Sequence, residues 1–151
     1  MGYYLQALIC RQSDQTLLTQ KFDKAVSVDL GQGLALVPMT EELFDQIDNF
    51  CSSPSVDRFS YLTENVEQKL LDAVGDRKFA YVEAEYFGGE GGQMAIIWNN
   101  NRREQLLLSG QGKINEVLKS FGVTAKPGQD EFVTLGLGLR RSTREWIEDG
   151  D

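Results

Sequence analysis

The chain reads as an α+β protein, a mainly antiparallel sheet with three to five helices packed against it. Three observations carry that expectation. β-forming segments come in groups rather than alternating regularly with helices, which argues against a doubly wound parallel sheet. With 151 residues, 41% hydrophobic and 25% charged, the chain has the size and composition to fill one core without staples. No repeat, low-complexity tract or long linker divides it; residues 51–57 are only a loop, so 1–151 is read as a single domain.

The elements follow from local patterns. Residues 3–10 are rich in aromatic and aliphatic side chains and predict a first strand. Leu17, Leu18, Lys21 and Phe22 keep helical spacing behind Asp14, a candidate N-cap. Val26 and Val28 alternate with polar neighbours, and Gly31 to Gly33 turn the chain into 34–37, which predicts a hairpin. Thr40 opens a helix whose first-turn Glu41 and Glu42 suit the helix dipole, with Leu43, Ile47 and Phe50 expected on one face. Ser60 is the candidate cap for a helix carrying Leu62, Val66, Leu70 and Ala73 and closed by Gly75. Residues 79–87, 93–98 and 104–108 predict three strands, the last after the Asn99-Asn100-Asn101 turn. Ile114, Val117, Leu118 and Phe121 mark a helix ended by Gly122. Ser142-Thr143-Arg144-Glu145 has capping-box spacing and opens a terminal helix with Trp146 and Ile147.

Composition excludes more chemistry than it suggests. The chain has 0 His, which removes the Ser-His-Asp and Cys-His devices and the usual imidazole metal sites. Neither a phosphate-loop pattern nor a dinucleotide Gly-x-Gly-x-x-Gly is present, and no cofactor is expected. Net charge is −8, with 11 acids against 5 bases in residues 1–75 and 12 against 10 thereafter. Such a surface repels nucleic acid and attracts basic proteins, although the bland reading, that the charge simply keeps a small protein soluble, is the favoured one. The two cysteines, Cys10 and Cys51, sit among apolar neighbours and are expected to be reduced, inert and buried. No apolar run reaches the length of a membrane span, and the first ten residues lack the basic lead of a secretory signal, so a cytoplasmic location with no membrane association is expected.

The most unusual stretch runs from Glu83 to Gln93, where Gly88, Gly89, Gly91 and Gly92 crowd the junction of two β-forming runs around Glu90. On a strand, Tyr81, Glu83, Glu85 and Phe87 point one way and Ala80, Val82, Ala84 and Tyr86 the other. Glu83 and Glu85 therefore share a face, able to bind a basic residue, ligate a hard cation or act as an acid/base pair. The bland reading is a solvent face on a half-covered sheet, and it is favoured. The glycine loop is equally a hairpin connection or a ligand contact. Leu135, Leu137 and Leu139 alternate with Gly136 and Gly138, which lets backbone pass closely over packed leucines. Arg140, Arg141 and Arg144 form a basic cluster able to pair with Glu83 or Glu85, or to meet an anionic partner.

A YFGGxGxQ-like segment, Tyr86-Phe87-Gly88-Gly89 with Gly92-Gln93, is followed by Trp98, Ile114-Asn115, Phe121-Gly122-Val123, Asp130-Glu131-Phe132 and Leu135-Gly136-Leu137. In these residues the second half of the chain resembles an uncharacterised family of bacterial single-domain proteins. That resemblance implies no activity and carries no catalytic residues onto this chain. In size, charge and lack of catalytic motifs the chain is also similar to immunity proteins of bacterial toxin systems, a likeness of class rather than of motif.

The expected function is a non-enzymatic acidic binding protein that engages a basic protein partner, of the toxin-immunity kind. Candidate binding residues are Glu83, Glu85, Phe87, Gly88, Gly89, Glu90, Gln93, Arg140 and Arg141, with none catalytic and none assigned to a metal. The alternative is a small-molecule or divalent-metal-binding domain, enzymatic or not, built on Glu83 and Glu85. A third reading is a homodimer formed through the Tyr81 and Phe87 face.

Overall fold

The computed structural model describes residues 2–88 and 90–148. Its centre is one six-stranded sheet in the order β2-β3-β1-β4-β5-β6, with every pairing antiparallel. The strands are β1 Gly2–Arg11, β2 Val28–Gly31, β3 Leu34–Pro38, β4 Phe79–Phe87, β5 Glu90–Asn99 and β6 Arg102–Gly110. The helices are α1 Thr16–Thr19, α2 Glu41–Asp48, α3 Glu64–Val74, α4 Lys113–Ser120, α5 Glu131–Thr134 and α6 Glu145–Glu148. The α+β class is thus observed, with six α-helical segments among the described residues, one above the expected range. Among these residues no helix is long and apolar enough to cross a membrane.

Both faces of the sheet are covered, which corrects the expectation of a half-solvated sheet. On the front face Leu8, Cys10, Ala35, Val37, Phe79, Tyr81, Ile96 and Trp98 pack beneath α1, α2 and α3. On the back face Leu5, Ala7, Ile9, Ala80, Val82, Ala84, Ala95 and Ile97 pack beneath α4 and the 121–146 segment. Tyr81 is fully buried under Phe59, their rings 5.6 Å apart, so it offers no surface for a dimer. The small-residue face of β4 is the back, where Ala80 and Ala84 leave room for α4. At about 1.5–3 kcal/mol for each fully buried aliphatic side chain, Val66, Leu70 and Val74 hold α3 to the sheet more firmly than an 11-residue helix holds itself.

Caps decide where several helices sit. Thr40 accepts from Leu43 N as expected, but α3 is capped by Thr63 rather than Ser60, so Leu62 precedes the helix. Asp14 caps nothing; it lies in a short 3-10 turn ahead of α1. Asn49 adopts a left-handed conformation (φ 52°, ψ 40°) and ends α2. Phe50 is thereby cast out of the face it was expected to share with Leu43 and Ile47 and stands 82% exposed. Cys51, expected to be buried, is likewise exposed, whereas Cys10 is buried.

Two local devices close the ends of the sheet. The outer strand β6 carries two register shifts against β5, beside Gln93/Ala95 and Ile97/Trp98, and such bulges with flanking charges turn an edge away from further strand pairing. The lower half of β1 extends beyond β3 and is strapped by the C-terminal segment instead. Tyr4 N donates to Arg141 O at 2.9 Å, Gln6 N to Thr143 Oγ1 at 2.9 Å, and Tyr3 Oη to Leu137 O at 2.9 Å.

Candidate functional site

The helices of the front layer stop short of the lower end of the sheet. There Tyr4, Gln6, Glu83, Glu85, Gly92 and Met94 form a floor crossed by the 57–61 loop, with an open cleft on each side of it. One cleft, of about 180 Å³, is lined by Tyr4, Gln6, Met39, Thr40, Glu41, Tyr61, Thr143 and Arg144. The other, of about 160 Å³, is lined by Gln6, Arg58, Ser60, Glu83, Ala84, Glu85, Gly92 and Met94.

Glu83 is not a free ligand in this floor. It is 8% exposed, and its carboxylate accepts from Ser60 N (2.9 Å to each oxygen), Tyr61 N (2.9 Å) and Tyr81 Oη (2.6 Å). A carboxylate so surrounded fastens the loop to the strand. Burial first, and then the Glu83 charge, hold the Tyr81 phenol well above its ordinary range. Glu85 shares the front face with Glu83 and is exposed, but among the described residues no three His, Cys, Asp or Glu side chains come together as a metal set.

The other expected site residues scatter. Gln93 lies on the back face opposite Ala84, where its Oε1 accepts from Ile114 N at 2.9 Å and satisfies the first turn of α4. Phe87 and Glu90 pair at the end of the β4–β5 hairpin, Phe87 79% exposed. Gly88 turns that hairpin at φ 61°; Gly89 lies outside the described residues. Arg140 stacks on Trp146, 4.8 Å from the ring centroid, in the back layer, so the sheet separates it from the side chains of Glu83 and Glu85. Arg141 is exposed and serves the β1 strap through its carbonyl, while Arg144 pairs with Glu42 and holds that carboxyl below its usual range.

Much of the distinctive second-half pattern is scaffold. Asn115 Oδ1 accepts from Phe132 N at 2.8 Å and its Nδ2 donates to Asp130 Oδ2 at 3.0 Å, while Asp130 Oδ1 caps α5 through Val133 N at 2.8 Å. Together with Gln93 and Leu137 these residues lock α4 and α5 to the back of the sheet. Trp98 is equally structural: its Nε1 donates to Glu67 at 2.8 Å, and Arg103 closes the same carboxylate with two bonds of 2.7 Å.

No family model, curated protein or solved structure matches the chain. The case for a site therefore rests on surface chemistry. Residues 40–72, which form the layer of α2, the intervening loop and α3, hold eight acids against two bases, six of the eight surplus negative charges. Glu41, Glu42, Asp45, Asp57, Glu64 and Asp72 are all exposed, with Arg58 exposed and Lys69 half-buried. Tyr61 borders this layer, and burial first, then the charges of Glu41, Glu83 and Asp45, raise its phenol above the ordinary value. Sequence reasoning found the acidic bias of the first half but not its focus, because the density of acids between residues 40 and 72 becomes a surface only once α2 and α3 are laid side by side.

Proposed function

We propose that the protein is a non-enzymatic binding protein whose acidic α2–α3 layer engages a basic protein partner. The observation that supports this reading is the concentration of exposed carboxylates on one helical layer, where fields add and steer a cationic surface into contact. Glu83, the buried carboxylate of the lower front face, is occupied by backbone and phenol donors, which leaves it in a structural role. The likeness in size and charge to immunity proteins makes a basic toxin the expected kind of partner.

The test is affinity recovery with the tagged chain at about 100 mM salt, where the screening length is about 10 Å, followed by mass spectrometry. The comparison chain carries Glu41→Gln, Asp45→Asn, Asp57→Asn and Glu64→Gln. Wild type is expected to retain a basic protein that the neutralised variant loses and that high salt releases. Equal recovery by both chains, or recovery of no basic protein, refutes the proposal.

A further inference from the structure

We infer that Phe50 is the anchor of this acidic layer, a ring that enters an apolar socket on the partner framed by lysine or arginine side chains. The inference rests on the proposed function of the layer and names the contact within it. Phe50 is 82% exposed in the loop between α2 and α3, within the acidic segment 40–72. It follows Asn49 with a second left-handed backbone, φ 57° after φ 52°, a conformation that the Cβ of a phenylalanine disfavours.

Such a backbone persists only where its surroundings over-determine it, and here they do. Asp48, 7% exposed, accepts on its side chain from Thr63 Oγ1 (3.3 Å) and Asn65 Nδ2 (3.2 Å). The Asp48 carbonyl receives Asn65 Nδ2 at 2.9 Å and Cys51 N at 3.1 Å. Asn65 N donates to Ser53 Oγ at 3.0 Å, tying the far side of the loop to α3. The ring is thus presented from a fixed platform without core contacts to explain its position. A large aromatic carried on a backbone already fixed spares the cost of ordering the loop on binding, a property that suits an interface anchor.

Charge selects the occupant. A second copy would bring the exposed carboxylates Glu41, Asp45, Asp57, Glu64 and Asp72 against the same set, and like charges across an interface repel. A basic partner meets Asp45 and Glu64, which flank the loop, as its socket receives the ring.

The experiment uses the basic protein recovered and identified as above, purified and titrated by calorimetry against the wild-type chain, Phe50→Ala, Phe50→Gly and the four-fold neutralised variant, with the melting temperature of each free chain measured alongside. Phe50→Ala and Phe50→Gly are expected to weaken binding at least 30-fold with the salt dependence unchanged, while Phe50→Gly raises the melting temperature because glycine adopts a positive φ freely. Unchanged affinity of Phe50→Ala, with binding lost in the neutralised variant, overturns the anchor and leaves the proposed function standing. A lowered melting temperature for Phe50→Gly assigns the ring a structural role and also overturns the anchor. Absence of any basic partner removes both.

Discussion

Removing the Glu83 carboxylate is expected to cost about 3 kcal/mol of stability, because it leaves donors behind rather than freeing a surface. The Tyr81 hydroxyl, on a residue that is 0% exposed, loses the acceptor it bonds at 2.6 Å, and an orphaned buried hydroxyl costs about 1–3 kcal/mol. The main-chain N–H groups of Ser60 and Tyr61 lose charge-assisted bonds of 2.9 Å and recover part of that in water, about 0.5–1 kcal/mol lost for each. Urea unfolding of Glu83→Ala should therefore show a midpoint lowered by about 1.5 M at a slope of about 2 kcal/mol/M. Glu83→Gln keeps one acceptor oxygen but turns an amide N–H₂ toward a donor, and should lie about halfway between. A Glu83→Ala midpoint equal to or above that of wild type would refute the reasoning, since carboxylates held for a ligand commonly destabilise the free protein.

Three further outcomes follow from the geometry. Gly91→Ala should lose about 3 kcal/mol or more in the same assay, because a Cβ built at Gly91 would lie 1.8 Å from the Glu85 carbonyl oxygen; wild-type stability would contradict the Tyr86–Gly91 pairing. Burial pushes the Glu67 carboxyl up, but hydrogen bonds from Arg103 and Trp98 and the Arg103 charge outweigh it and hold it below 4.5. Its folded value is depressed, so its contribution is present above the unfolded value and lost as pH falls through the folded one; Glu67→Gln should flatten stability below about pH 4.5 in an acid titration followed by fluorescence, and an unchanged profile would count against the network. Burial, with the Asp14 charge behind it, pushes the Cys10 thiol up to about 12, whereas Cys51 is exposed. A thiol-reactive dye at pH 8 should label Cys51 alone in the native chain and both residues in denaturant; native labelling of Cys10 would show that the front core opens.

Strands were the legible part of the fold. The runs around Leu5–Ile9, Ala80–Phe87 and Gln93–Trp98 are β-forming throughout, and each lies where its pattern placed it. Alternation could not reveal the second helical layer, because Tyr81 and Glu83 read as an exposed polar face until Phe59 and the 57–61 loop are laid over them. Helix ends depended on a choice between hydroxyls three residues apart: Thr63, not Ser60, bonds Val66 N. The Phe50 error came from extending a period of hydrophobic residues one step past Asn49, a residue tolerant of positive φ that was itself the available stop signal. The site residues read from the glycine-rich segment do not gather on one face, because strand parity sends Glu83 and Gln93 to opposite sides of the sheet. Only three-dimensional adjacency of α2 and α3 gathers the acids.

The strap across the lower half of β1 joins residues 134 to 137 positions apart in sequence. Contacts of such separation demand closure of nearly the whole chain, and their entropic cost falls late in folding. During synthesis the first strand can pair with β3 and β4 long before Thr143 arrives, so Tyr4 and Gln6 spend that interval with main-chain donors facing solvent. Final assembly of the lower sheet edge therefore waits on synthesis of residues 137–143, and removing them would expose a strand margin at the very place where the front clefts open.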